Sequence, residues 1–578
     1  MILALGLCSC AKKQELSKPN VIIILADDQG WGDLSASGNT NLSTPNIDEL
    51  AATGISFDRF YVSPYCSATR AQMLTGRYYV RGGISGASVG RERLDLDETT
   101  ISRVFKDAGY ATAAYGKWHN GMQPPYHPNA RGFDDYYGFC SGHWSNYFSP
   151  MLEHNGEIVQ GEGFIIDDFT NHGLAFMEEN KDNPFFLYLP FNTPHGPFEV
   201  PDRWWKKFEN MDMAMRHREP EKEHEQITRA VLAMCENIDW NVGRITDKLE
   251  ELGLSENTII MYLTDNGPNG NRWNGGMKGK KGDTDEGGVR SPFFIKWAGK
   301  FEAGKTVPQI AGAMDLLPTL SDLAGIDYEP QKALDGVSLK ALLLEDDPQW
   351  EERLIFNHCN GRTSIRSQQY RLGHEGQLFD MVSDPGQHTD ISDQAPEIKE
   401  ELTLAKEKWE REVLSELPPK DTRNFPIGHP DFSFTQIPAR DGTASGNIIR
   451  SSKHANCSFF TRWTSITDSI SWEAEVLESG EYAVELYYTC PAEDVGSVFE
   501  LSFAKSKLRG EITEAHDPPL TGMEHDRAPR GGSLVKDFKR MPLGSIHLEK
   551  GEGVLILRAL EIPGSQVMDF RLLMLNRI

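Results

Sequence analysis

Val21-Ile22-Ile23-Ile24-Leu25-Ala26-Asp27-Asp28-Gln29-Gly30-Trp31-Gly32 runs six apolar residues together and then sets two carboxylates side by side. An apolar run without polar alternation marks a strand buried on both faces, as in a parallel sheet covered by helices. Open sheets of that kind collect their ligands past the carboxyl ends of the strands, where Asp27 and Asp28 stand. Adjacent carboxylates repel unless a cation or a turn relieves them, and taken alone the pair reads as a solvated acidic turn.

The same arrangement recurs along the chain. Ala111 to Tyr115 reads as a strand ending at Gly116-Lys117-Trp118-His119, Pro184 to Leu189 as one ending in Asn192-Thr193-Pro194-His195, and Thr258 to Leu263 as one ending at Asp265-Asn266-Gly267. Helical spacing separates them: Ile101, Val104, Phe105 and Ala108; Phe164 to Asn180; and about Ile227 to Leu252. The alternation predicts an α/β domain with a largely parallel sheet. Asp265 and Asn266 change the weight of the first acidic pair, because three carboxylates and an amide oxygen now share one edge of the sheet. An all-oxygen set suits a hard cation, calcium or magnesium, and offers nothing soft for zinc or copper.

Cys66-Ser67-Ala68-Thr69-Arg70, continuing to Leu74-Thr75-Gly76-Arg77, closely resembles the maturation signature of type I sulfatases, with Ala68 where that family usually has proline. Gly109-Tyr110-Ala111-Thr112 leading to Lys117-Trp118-His119 resembles the family's second signature, and Thr44-Pro45-Asn46-Ile47-Asp48 the segment after its first metal motif. Lys281 through Glu286-Gly287-Gly288 resembles its Lys-to-Glu-Gly-Gly segment; counting back from Glu286 selects Lys281 over Lys278 and Lys280. The likeness extends over about residues 19 to 400. It implies an alkaline-phosphatase-like, doubly wound mixed sheet with a small antiparallel C-terminal subdomain. It also implies oxidation of Cys66 to formylglycine (3-oxoalanine) by a formylglycine-generating enzyme or a radical maturase. The resemblance assigns the metal, calcium by preference, to Asp27, Asp28, Asp265, Asn266 and the modified residue 66. Lys117 and Lys281 would hold the sulfate, Asp265 would help deprotonate the nucleophile, His195 would protonate the leaving oxygen, His119 would act as a base, and Arg70 would anchor residue 66.

The chain has 578 residues and a formal charge of -26, which argues against nucleic acid or an anionic membrane as partner, since both demand a basic surface. A polyanionic substrate would meet an opposing field, so cations must be concentrated in the pocket, and moderate salt should speed association. Eight cysteines show neither paired nor regular spacing, so no zinc site or disulfide framework is indicated. Residues 1–17, with Leu7-Cys8-Ser9-Cys10, resemble the end of a bacterial lipoprotein signal and predict export to the periplasm or cell envelope, with a lipid anchor at Cys10.

The expected division is a catalytic α/β domain over 18–345, a small antiparallel subdomain and helix over 346–420, and an all-β sandwich over 428–578 that resembles the carbohydrate-binding type. Within the last, Ile470, Trp472, Ala474 and Val476 alternate with polar residues, as do Tyr482, Val484, Leu486 and Tyr488 across Glu478-Ser479-Gly480. That pattern predicts a hairpin with one buried face. Trp144, Arg272, Trp273, His358 and Arg362, near the motif ends, are candidates for the substrate rim. The function expected is hydrolysis of sulfate esters in a sulfated algal polysaccharide of the ulvan, carrageenan or fucan type, or its oligosaccharides. The alternatives are a phosphonate or phosphate ester hydrolase of the same fold and an inactive polysaccharide-binding lipoprotein.

Overall fold

The computed structural model describes residues 18–578; Cys8 and Cys10, in the segment read as an export signal, lie outside the described residues. Five parallel strands form the middle of a ten-stranded sheet, in the order Thr258–Thr264, Asn20–Asp27, Phe185–Pro194, Ala111–Lys117 and Asp135–Phe139. Phe293–Trp297 adds antiparallel on one side and Met151–His154 on the other.

Every residue from Val21 to Ala26 is fully buried, and the two faces of this strand serve different layers. Ile22 and Ile24 pack with apolar residues of the helices Ile165–Glu179 and Glu225–Glu251. Val21, Ile23 and Leu25 pack with those of Cys66–Thr75, Ile101–Asp107 and Leu316–Leu323. Each such side chain contributes about 1.5–3 kcal/mol of burial, and the double coverage explains why the run is uninterrupted. The strand expected to stop near Leu189 continues to Pro194, because its parallel pairing with the central strand resumes after an irregularity at Leu25 and reaches Asp27.

The charged stretch after Asp202 is partly helical over Asp202–Phe208; its Trp205 is buried and its Trp204 packs beside Trp240 of the long helix. Four short strands, Ile355–Cys359, Arg362–Arg366, Tyr370–Leu372 and Leu378–Asp380, make an antiparallel sheet backed by the helix Pro396–Val413.

The C-terminal part is two six-stranded sheets facing each other. The hairpin expected around Glu478-Ser479-Gly480 is not there. Ser469–Val476 pairs with Gly551–Glu561 in one sheet, whereas Gly480–Thr489 pairs with Lys539–Leu548 and Asp569–Arg577 in the other. Both alternating sets do point inward, and they meet in one core across the sandwich. Alternation records which face is buried; it carries no information about which strand lies alongside.

Candidate active site

Asp27 and Asp28 leave the central strand, and Asp265 and Asn266 leave its neighbour, so parallel pairing brings the four side chains together. Asp28 has φ 66, a left-handed conformation seldom adopted by a residue with a side chain and concentrated at functional sites. Its backbone N–H donates to Asp265 Oδ1 at 3.1 Å, and Asn266 Nδ2 donates to Asp28 Oδ1 at 2.8 Å. Cys66 opens the helix Cys66–Thr75, whose N-terminal end carries partial positive charge. Its sulfur and carboxylate oxygens of Asp27 and Asp265 all lie within 4.8 Å of one another. Ala68 is the third residue of this helix and fully buried. A first-turn N–H has no intrahelical acceptor, so either alanine or proline suits that position.

Fixed cations face the carboxylates. Lys117 Nζ lies 2.7 Å from Asp27 Oδ2, Lys281 Nζ 2.5 Å from Asp28 Oδ1, and Arg70 Nη2 2.8 Å from Asp265 Oδ2. Arg70 also donates to the Lys117 carbonyl at 2.8 Å. Lys117 is placed by Gly116 (φ 139), where an added Cβ would come within 2.2 Å of the Pro190 carbonyl oxygen, so only glycine lets the strands close here. Lys278 pairs instead with Asp285, in keeping with the choice of Lys281. The Lys281 loop is tied down by Gly282 N–H to the Pro64 carbonyl and by Arg362 to the Gly282 carbonyl. Arg371 of the small subdomain holds Glu286 at 2.8 Å.

Burial raises the Asp27 carboxyl, against the pull of Lys117. Burial and then Asp27 push Asp265 up to about 6 despite Arg70. Asp28 is held well below the usual carboxylate range; burial opposes this, but Lys281 and His195 prevail. His195 Nδ1 lies 2.7 Å from the Gly196 carbonyl oxygen, so Nδ1 carries the proton and Nε2 faces Asp28 Oδ2 at 3.6 Å. Burial lowers its pKa to about 4. His119, also in the left-handed region at φ 67, places Nε2 2.9 Å from the Ala87 carbonyl oxygen and leaves Nδ1 without a partner. Burial, then Lys117, holds its pKa well below the ordinary histidine value.

Three oxygens test whether a cation fits: Asp27 Oδ1, Asp28 Oδ2 and Asn266 Oδ1 are buried and have no hydrogen-bond partner. Buried oxygens in native proteins are nearly always satisfied, and three orphans beside Cys66 form the donor set a hard divalent ion needs.

The model of the family described as Sulfatase matches residues 19–326, more than half of the chain. This chain is a sulfatase. It is 30% identical over 389 residues to the N-acetylgalactosamine-6-sulfatase of Mus musculus, covering 61% of this chain and 70% of the relative. It is 29% identical over 448 residues to the arylsulfatase of Klebsiella aerogenes, covering 59% and 95%. Among solved structures, Ps i-CgsB in complex with k-i-k-neocarrahexaose matches with TM-score 0.62 and 30% identity over 70% of this chain and 96% of the other. The sulfatase is accordingly a sulfuric ester hydrolase with the alkaline-phosphatase-like fold.

The rim candidates divide. Arg272 is buried in an ion pair with Asp33 at 2.6 Å, and its Nη2 donates to the Asp28 carbonyl, so it braces the turn after the central strand and cannot line the rim. Arg362 serves the Lys281 loop, as above. His358 bonds Thr363 within the small subdomain, Trp144 stacks on Phe139, and Trp273 lies 6.5 Å from Trp31. His143, outside every motif, also belongs to the site: its ring lies 5.4 Å from that of His195 with both nitrogens unpartnered. The signal was available: His143 follows the fifth parallel strand, Asp135–Phe139, at the same carboxyl edge.

Proposed function

We propose that the sulfatase hydrolyses sulfate esters of an algal-type sulfated polysaccharide, or of its oligosaccharides, using a formylglycine made from Cys66 and a calcium ion held by Asp27, Asp28, Asp265 and Asn266. The observation that carries this reading is the set of unpartnered buried oxygens beside Cys66 at a helix N-terminus. When bound, calcium would supply positive charge to the sulfuryl oxygens; formylglycine, as its hydrate, would supply an oxygen nucleophile on residue 66. The chain's own residues account for the rest. Lys117 and Lys281 hold the anionic group, and fixed cations in a water-poor cleft act most strongly where charge develops in the transition state. Asp265, with its raised pKa, takes a proton from the nucleophile, and His195, its Nδ1–H held by the Gly196 carbonyl, gives the leaving oxygen a proton from Nε2 as the imidazolium, the form that Asp28 beside Nε2 favours. His119, its Nε2–H directed at Ala87, keeps Nδ1 free as a base.

The carbohydrate preference is supported by the neocarrahexaose complex of a structure 30% identical to this one. Matured enzyme screened against defined sulfated oligosaccharides, with matched phosphate esters alongside, should release sulfate from at least one glycan and far less phosphate. Preferential phosphate release, or turnover of small aryl sulfates alone, would overturn the reading. Polymeric substrates are met outside the cytoplasm, which suits export with a lipid anchor at Cys10. Cell fractionation should find the parent protein with membranes and Cys10→Ala soluble; identical distributions would refute the anchor.

A further inference from the structure

The β-sandwich reaches into the catalytic centre. Its Asn456 sits between the strands Ile449–Arg450 and Phe460–Thr461 and donates through Nδ2 to the Ala87 carbonyl at 3.3 Å. The same carbonyl faces His119 Nε2 at 2.9 Å. Asn456 is itself oriented: its Oδ1 accepts from Arg440 Nη1 at 3.0 Å and from Ser141 Oγ at 3.2 Å. Arg440, also of the sandwich and almost fully buried, binds Glu92 of the catalytic domain through Nη2. Space at the junction is fully used. A Cβ on Gly142 would come within 2.2 Å of His119 Nε2 and 2.8 Å of Asn456 Nδ2. Cys457 closes the contact, its thiol donating to the His143 carbonyl at 3.0 Å.

A carbohydrate-binding appendage on a tether would need none of these contacts. A histidine in the left-handed region persists only where its surroundings over-determine it, and the Ala87 carbonyl that faces His119 is itself held by a residue 369 positions from Ala87 along the chain. We propose that Asn456, oriented by Arg440, is a positioning residue for His119: it fixes the Ala87 carbonyl, which in turn holds the proton on Nε2 and leaves Nδ1 unprotonated. The sandwich is then a working part of the active site. The kinetic side of this inference rests on the reading of His119 as a base; the geometric side does not.

The test uses the matured full-length chain, with Asn456→Ala, Asn456→Gln and, as a control on the same loop, the exposed Lys453→Ala. Nitrogen-15 spectra of labelled histidine report the tautomer of His119 whether or not sulfate is released, and His119→Asn assigns its signals. In Asn456→Ala the His119 signals should move toward a mixture of tautomers. The kcat should fall about tenfold or more, the scale of small misplacements of a reacting group, with KM within about twofold and a displaced pH–rate profile. Asn456→Gln, which keeps an amide donor, should recover part of both effects, and Lys453→Ala should match the parent. Unchanged His119 signals in Asn456→Ala would overturn the proposal, as would equal losses in the Lys453 control. A parent enzyme that released no sulfate would count against the proposed function, while the His119 signals would still decide the role of Asn456.

Discussion

Cys66→Ala should abolish sulfate release, lowering kcat by about 10⁴ or more, because on the proposed mechanism it removes the nucleophile and leaves only binding and electrostatic stabilisation. The change deletes one buried atom at the start of a helix whose remaining residues are all buried in the domain, so the fold and the thermal transition should be little altered. Two measurements check the claim. Free sulfate is followed in parent and variant, and the mass of the parent peptide containing Cys66 is determined. The parent peptide should be lighter by the exchange of a sulfur and two hydrogens for one oxygen, or of unchanged mass when hydrated. A parent that turns over while its Cys66 remains an alkylatable thiol would remove formylglycine from the account. Full activity of the alanine variant would remove residue 66 itself.

Removal of divalent cations should stop turnover and lower the thermal transition of the catalytic domain, and calcium should restore both. Three carboxylates, Asp27, Asp28 and Asp265, face three fixed cations, Lys117, Lys281 and Arg70. Without a metal the cluster is formally neutral; a divalent ion makes it positive, which an anionic ester requires on a chain of charge -26. A ligand that binds only the folded state adds about 2.7 kcal/mol at a hundredfold excess over its Kd. Thermal scans after chelation, titrated with calcium and separately with magnesium, read this directly. Calcium should act at the lower concentration, because six to eight flexible oxygen contacts suit it better than the tight octahedron magnesium demands. Full activity in excess chelator, with no shift from either ion, would exclude the site. Asp28→Asn should weaken the response to calcium, since it removes a charge from a carboxylate whose Oδ2 has no hydrogen-bond partner.

The sheet and its reacting edge are legible in the chain's apolar runs. A strand buried on both faces must be written as an uninterrupted apolar run, so Val21 to Ala26 and Thr258 to Leu263 declare themselves, and the polar residues that interrupt such runs fall at one edge. Asp27, Asp28, Lys117, His119, His195, Asp265 and Asn266 were legible for that reason. Cys66, Arg70 and Lys281 came from the family motifs instead. His143 stands at the same edge, after the strand Asp135–Phe139, whose Asp-Tyr-Tyr-Gly-Phe is too short and too polar to stand out as an apolar run. The remaining features arise only when distant segments pack together. Period-two alternation records that Trp472 and Val484 point inward, not that their strands lie in opposite sheets. A buried arginine such as Arg272 looks no different in sequence from one on a rim, because its partner Asp33 is 239 residues away. Asn456 carries no local signature at all: it matters through a carbonyl it meets only when the sandwich docks, and long-range docking is a property of assembled surfaces that no short stretch of chain encodes.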